Sequence, residues 1–360
     1  MKQFKNRYFL LFVAFFIALT IACWVHTPNA ESLTERRKLA QRPELTAQSF
    51  LSGRFASGFE SYTQDQFPLR EGFRTLKAVF QTKVLDRSDN NNIYVNNDTL
   101  AQLEYPENLS SADYAAGKFQ EVVSRYLDGS NRVYLSVIPD KGYFLEGIPK
   151  MDYDAFVNRL TEQADSANYV NIFPTLSLDS YYRTDTHWRQ EQLLPTAQAL
   201  AKAMGKEIGD DFTVEDTGIS FRGVYAGQSA LPVDGEKMYY VTSPAIQSAA
   251  VWDGENSRSM GIYDFGKLDS RDPYEFYLSG SLSLITLTNE NAAREGKLIL
   301  FRDSFGSSLS PYLLDCYKEV TLVDIRYLPV NRLGRVIDFE NADVLFLYST
   351  LVLNHSETLK

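Results

Sequence analysis

Apolar residues recur along this chain in several distinct rhythms. From 8 to 25 they run for 18 residues without a charge, which at about 1.5 Å per residue spans roughly 27 Å, close to a bilayer core. The run 297–301 is short and almost wholly apolar, the pattern of a strand buried on both faces. Elsewhere the spacing is helical. Leu309, Tyr312, Leu313 and Cys316 fall at i, i+3, i+4 and i+7, and Leu69, Phe73, Leu76, Val79 and Phe80 repeat that periodicity. So do Phe119, Val122, Val123, Tyr126 and Leu127, ended by Asp128-Gly129. Leu193, Ala197, Leu200, Ala201 and Met204 mark a further helix that Gly205 ends, with Pro195 in its first turn.

Further strands are predicted at 132–138, 320–324 and 343–348, and a hairpin through 93–95 after the break at Asp89-Asn90-Asn91-Asn92. Residues 206–292 lose helical periodicity and read as a β-rich insertion containing Met238-Tyr239-Tyr240-Val241. Strands separated by helical segments predict an α/β domain over 61–360, built on a mostly parallel sheet with helices on both faces. Residues 26–60 read as a polar stalk or linker, with Glu31, Glu35, Arg36, Arg37 and Lys38 preceding any sustained apolar pattern.

Lys2, Lys5 and Arg7 precede the long apolar run and no acid does. Positive charge on that side holds 1–7 in the cytoplasm and makes 8–25 a single-pass signal anchor, with the remainder extracytoplasmic. A cleaved signal peptide is the alternative, although Pro28-Asn29-Ala30 is a poor cleavage site, and Cys23 after Thr20-Ile21-Ala22 is a weak lipid-attachment motif. The net charge of −10 speaks against nucleic-acid partners, which need clustered Lys and Arg. Hydrophobic content of 44%, with 22 Tyr and 23 Phe, supplies a packed core. Cys316 is the one cysteine outside the apolar run, so no internal disulfide framework is available, and it reads as a buried structural thiol.

The chemistry concentrates in two segments. The chain has three histidines; His26 and His355 lie near the ends, which leaves His187, in Thr184-Asp185-Thr186-His187-Trp188, as the interior one. A carboxylate two positions before an imidazole can fix its tautomer and stabilise the imidazolium. The second segment, Arg302-Asp303-Ser304-Phe305-Gly306, reads as strand, sharp turn and helix, with Ser307 or Ser308 as N-cap and Pro311 in the first turn. Ser304 is thereby placed at the carboxyl end of a strand, where open α/β sheets hold ligands, and just before a helix N-terminus suited to an oxyanion. A serine nucleophile needs a base and a group that orients it. Ser304, His187 and Asp185 supply those roles if the fold joins them; otherwise Asp185 and His187 cap a loop and Ser304 is a turn serine. Lys141, at the end of the 132–138 strand, is either a substrate contact or a solvated loop lysine. Trp188 either packs or lines a sugar subsite. With a single interior histidine and no paired cysteines, a metal site is not predicted. No coenzyme or phosphate-binding motif is present either, so no cofactor is expected.

These segments resemble those of the bacterial DHHW proteins, which are related to the SGNH-hydrolase-like domains of the alginate O-acetylation machinery. The resemblance also takes in Asp65-Gln66-Phe67-Pro68-Leu69-Arg70, Asn92-Ile93-Tyr94-Val95 and Ile138-Pro139-Asp140-Lys141-Gly142-Tyr143-Phe144. It implies an SGNH-hydrolase-like, flavodoxin-like fold with the order permuted, since the Asp-x-His pair precedes the serine. It also implies a Ser-His-Asp triad of Ser304, His187 and Asp185. Thr186 stands where the family name has its first histidine, and Arg302 where the SGNH block has glycine, which leaves the oxyanion donors open and makes Arg302 a candidate substrate contact. The activity implied is O-acetylation or deacetylation of a cell-surface or secreted polysaccharide, served by a membrane protein that delivers the acyl group. A non-catalytic glycan-binding or scaffolding protein on the same fold is the alternative.

Overall fold

The computed structural model describes residues 2–96, 98–289 and 295–360, with side chains from residue 7 onward; the last positions of the expected insertion, 290–292, lie outside them. The chain forms two compact units, one of residues up to 91 with 226–232, the other of 92–225 with 233–360.

The first unit begins with a helix, Lys2–Val25, whose stretch Arg7–Val25 is long and apolar enough to cross a membrane, with none of it buried. The segment 26–60, expected as a stalk, instead carries a two-strand ribbon, Glu31–Ser32 with Arg37–Lys38, and the helices Ala47–Leu51 and Arg54–Asp65. Its polar side chains bind the chain to itself. The Gln66 amide accepts the Asn29 N–H at 2.8 Å and donates to the Asn29 and Ala40 carbonyls at 2.8 and 3.1 Å. Glu35 faces Arg70 and Arg74 at 2.6 and 3.2 Å. Polarity that reads as solvation in sequence is here internal hydrogen bonding.

The second unit is built on eight strands: β1 (Arg132–Ile138), β2 (Asn168–Tyr169), β3 (Ala250–Asp253), β4 (Arg258–Met260), β5 (Leu284–Thr288), β6 (Lys297–Arg302), β7 (Glu319–Val323) and β8 (Ala342–Ser349). Their order is β4-β3-β5-β7-β6-β8-β1-β2. From β7 to β2 every pairing is parallel; from β7 outward through β5, β3 and β4 every pairing is antiparallel. The expected insertion is therefore β-rich, but most of it does not stand apart. Three of its strands extend the main sheet, and among its described residues only Thr213–Phe221 with Glu236–Thr242 forms a separate ribbon.

The parallel strands are apolar on both faces because both are covered. Helices α1 (Leu109–Tyr126) and α2 (Tyr153–Gln163) bury Phe119, Val122, Phe156 and Leu160 against Val133, Leu135, Ile299, Phe301, Val344 and Phe346. On the other face α3 (Leu194–Ala203) and α4 (Phe305–Leu313) bury Leu200, Leu309 and Leu313 against Leu298, Leu300, Leu345 and Leu347. Helix α4 starts earlier than its pattern predicts. Ser304 itself is the N-cap position, and Pro311 lies inside the helix rather than in its first turn. A proline there leaves the Ser307 carbonyl without its helical donor; the Ser310 hydroxyl approaches that oxygen at 3.4 Å.

Phe346 is fully buried and stacks on Phe119 and Phe301 with centroids 4.5 and 4.8 Å apart. Phe346→Ala should lower stability by about 3–5 kcal/mol through the cavity it leaves, read as a shift of the urea midpoint of the full-length protein in nanodiscs. A change under ~1 kcal/mol would mean that these stacked rings do not form the core.

Candidate active site

Strand β6 ends at Arg302, and Asp303 and Ser304 turn the chain into α4. One Asp303 oxygen accepts the Phe305 N–H at 3.0 Å and the other the Ser349 N–H at 2.8 Å, tying the turn to the end of β8. Gly306 lets the first helical turn lie on the Arg302 stem, since a Cβ there would come within 2.6 Å of Arg302 Cβ. Within this run of buried residues Ser304 alone is half-exposed.

His187 approaches from a loop 117 positions earlier. Its Nε2 lies 2.7 Å from Ser304 Oγ, and its Nδ1 lies 2.6 Å from Asp185 Oδ1. Asp185 is wholly buried. Its Oδ1 also accepts the His187 backbone N–H at 3.1 Å, and its Oδ2 the Val224 N–H at 2.8 Å. A carboxylate holding two backbone donors acts as an acceptor toward the ring, so Nδ1 carries the proton and Nε2 is the acceptor for the serine hydroxyl. Gly223 makes this packing feasible: a Cβ there would overlap Asp185 Cα and Cβ and the Thr184 carbonyl oxygen. Tyr274 stacks flat on the imidazole, centroids 3.7 Å apart and planes 8° apart. Its hydroxyl sits 2.7 Å from Ser308 Oγ, and burial holds its phenol well above the ordinary value, so the ring stays neutral.

The structure thus brings Ser304, His187 and Asp185 together. It places the three expected substrate contacts differently. Trp188 is fully buried, and its indole N–H donates to the Phe305 carbonyl at 3.0 Å and to Ser308 Oγ at 2.8 Å; it joins the histidine loop to α4 rather than lining a sugar subsite. Lys141 is also buried, with Nζ donating to the Tyr182 and Arg183 carbonyls at 3.0 and 3.2 Å, so it braces the strand of chain leading to Asp185. Arg302 is 1% exposed and directs its guanidinium to the Asp303 and Leu282 carbonyls, with Asp324 at 3.9 Å. Burial holds its guanidinium below the ordinary value. All three are buried and turn polar atoms into the protein. Gly223 and Tyr274 carry no signal in the sequence, and Ser308 reads only as a helix-cap candidate: an isolated glycine, one tyrosine among many and a helix serine acquire these roles only through long-range packing.

The arrangement is that of an α/β protein with a hydrogen-bonded Ser-His-Asp site at the carboxyl edge of its sheet. No family model matches the chain, and no curated protein matches it. Among solved structures, a DHHW family protein from Eubacterium siraeum aligns over 75% of this chain and 95% of its own, at 18% identity and a TM-score of 0.60. PatB1 of Bacillus cereus aligns over 72% of this chain and 96% of its own, also at 18% identity and a TM-score of 0.60. PatB1 with a sulfonyl adduct gives 0.58 at 18% identity, over 72% of this chain and 97% of its own. The chain shares the fold of these proteins, and the DHHW resemblance of its motifs has a structural counterpart.

Two outcomes are expected from this geometry. Trp188→Phe keeps most of the packed ring but removes the N–H that holds the loop to α4. It should cost about 1–3 kcal/mol and slow fluorophosphonate labelling of Ser304, whereas a variant as stable and as quickly labelled as wild type would show that the indole bond does not set the loop. Lys141 gives a pH signature. Burial pushes its amine down to about 7, against the opposing pull of Asp185, Glu236 and Asp140. An unfolded lysine titrates near ~10.4, so between those values the unfolded chain holds a proton that the folded one does not, and stability rises with pH. Wild type should therefore gain stability relative to Lys141→Met from pH 7 to 9.5, with no such gain below pH 6. A difference that stays flat across both ranges would mean that Lys141 remains charged in the fold.

Proposed function

We propose that this protein is a membrane-anchored, extracytoplasmic serine acyltransferase or esterase that adds acetyl groups to a cell-surface or secreted polysaccharide, or removes them. The observation that carries the reading is the Ser304–His187–Asp185 chain of hydrogen bonds, 2.7 and 2.6 Å long. We read the fold as SGNH-hydrolase-like with permuted order, because Asp185 and His187 precede the serine along the chain. The apolar helix Arg7–Val25, behind Lys2, Lys5 and Arg7, is read as an anchor with its amino end in the cytoplasm.

In this mechanism Ser304 Oγ attacks an acyl carbonyl carbon while its proton passes to His187 Nε2. Asp185 stabilises the imidazolium. The tetrahedral intermediate collapses as the leaving alcohol takes that proton, which leaves the acyl group esterified to Ser304. A sugar hydroxyl then gives its proton to Nε2 and attacks the ester, and Ser304 regains a proton as it departs; water in place of the sugar gives hydrolysis. The Phe305 N–H is committed to Asp303, so we assign the developing oxyanion to the Ser304 N–H. An exported site has no direct access to cytoplasmic acyl donors, so a membrane partner that delivers the acyl group fits this reading. PatB1, which shares the fold, is known with a sulfonyl adduct, and sulfonyl and fluorophosphonate reagents are natural probes for Ser304.

Full-length protein in nanodiscs should hydrolyse p-nitrophenyl acetate and take a fluorophosphonate label. Ser304→Ala should abolish both, and His187→Ala should lose at least ~10³-fold, with Asp185→Ala retaining more, because members of such a site act as a unit. Labelling that persists in Ser304→Ala would make another serine the nucleophile. A wild-type protein that is neither labelled nor active would remove the enzymatic reading.

A further inference from the structure

A pocket of about 350 Å³ opens beyond β1 and β2, lined by Tyr143, Phe144, Asp154, Asn158, Tyr169 and Asn171 among others. Strands β1, β2 and β6 run parallel within the same sheet. The turn Lys141–Phe144 that follows β1 therefore lies on the same carboxyl edge as Ser304. Two to three strand spacings separate β6 from β1 and β2, roughly 10–15 Å. The pocket is thus outside the reaction centre but in line with it along the edge.

Its chemistry is mixed in a particular way. Tyr143, Phe144 and Tyr169 are half-exposed aromatic faces, and Tyr143 is fixed edge-on against Phe144 and Phe173 with centroids 5.0 and 4.8 Å apart. Asp154 and Asn158 are exposed and stand one helical turn apart on α2, on the same side. Asn171 is exposed, and its side-chain oxygen accepts the Phe173 N–H at 3.0 Å, which occupies that oxygen and not the NH₂. Burial, with Asp154 and Tyr143 nearby, pushes the Tyr169 phenol up to about 12, so it remains a neutral donor. Rigid aromatic faces suit the C–H faces of a pyranose, and planar amide and carboxylate groups suit pairs of sugar hydroxyls. The one charged group among these six is an acid, which repels a polyanion.

We propose that this pocket is a saccharide subsite that holds a neutral glycan chain some units away from the sugar presented to Ser304. The proposal deepens the polysaccharide reading above and rests on it for the substrate class. Binding here would fix the acceptor chain along the sheet edge and limit which of its hydroxyls reach the acyl group.

The test uses full-length protein in nanodiscs, because sugar-headgroup detergents would compete, and measures calorimetric binding of cellohexaose, xylohexaose, chitohexaose and an oligogalacturonate. At least one neutral hexasaccharide should bind, and the oligogalacturonate should bind tenfold or more weakly than it. Asp154→Ala combined with Asn158→Ala, on an exposed helix face, should weaken the neutral ligand at least tenfold, as should Tyr169→Ala. Asp154→Asn should narrow the gap to the oligogalacturonate. No binding of any neutral hexasaccharide, unchanged binding in the Asp154/Asn158 variant, or preference for the oligogalacturonate overturns the subsite. Binding is read without chemistry, so the two proposals fail separately: labelled Ser304 without sugar binding removes only the subsite, and sugar binding without labelling removes only the acyl transfer.

Discussion

The site depends on one bridge, between the residues that follow His187 and the helix that follows Ser304. The Trp188 indole N–H reaches the Phe305 carbonyl and Ser308 Oγ. Two positions further, Gln190 donates to the Ser308 carbonyl at 2.8 Å and accepts from the Tyr312 hydroxyl, through its own backbone oxygen, at 2.9 Å. These bonds are buried, and an indole or amide left without a partner there would carry its full desolvation cost, so each of them holds the bridge closed. It closes a separation of more than a hundred residues and sets the imidazole opposite the serine. The geometry of the site is therefore a by-product of core packing, with Ser304 left half-exposed.

The other constraint is the carboxylate. Asp185 has no access to water, and an ionised group so placed is tolerated only when its oxygens are filled. The Val224 and His187 backbone donors fill them, and they do so because Gly223 allows the chain to pass against Asp185. Lys141 supports the same loop from below, and the Leu100 N–H donates to the Arg183 carbonyl at 2.8 Å, so the hairpin Ile93–Asn96 with Thr99–Gln102 closes over the segment. The loop is held through its own backbone carbonyls, by the Lys141 amine and by the Leu100 N–H, which suits a group that must keep one tautomer and one direction.

Much of the α/β layering was legible in the chain because it is written locally. The runs at 132–138, 297–301 and 343–348 are almost wholly apolar beyond a charged first residue, since both faces of the parallel strands are covered, and the α3 spacing with its terminal Gly205 marks a helix whatever surrounds it. The Asp185–His187 pair is legible for the same reason, lying within one loop. Strands β3, β5 and the start of α4 were less legible. Ile285 and Leu287 alternate with half-exposed neighbours, a pattern too short to set against turn residues. Ser304 reads as a turn because Pro311 argues for a later helix start. The substrate-facing expectations for Trp188, Lys141 and Arg302 differ from their placement because polar tips on long side chains carry no mark of which way they point; here the Trp188 indole, the Lys141 amine and the terminal nitrogens of Arg302 meet backbone carbonyls and a serine hydroxyl.

The mixed sheet explains how Tyr274 comes to lie on the histidine. In a purely parallel sheet only the carboxyl ends of strands feed loops to the ligand edge. Strand β5 runs antiparallel to β7, with Leu284 opposite Val323, the last residue of β7. Its amino end therefore lies at that same edge, and the segment just before it, including the turn Pro273–Phe276, is delivered to the site. The Leu282 carbonyl meets Arg302 there at 3.3 Å, which fixes the height at which the segment crosses β6. Tyr274 and the adjoining Phe276 and Tyr277 pack into a small aromatic core with Tyr182 and Phe221, on the residues just before Asp185. The extension of the sheet is thus part of the site's construction: reversing the direction of one strand supplies the wall against which the imidazole is held.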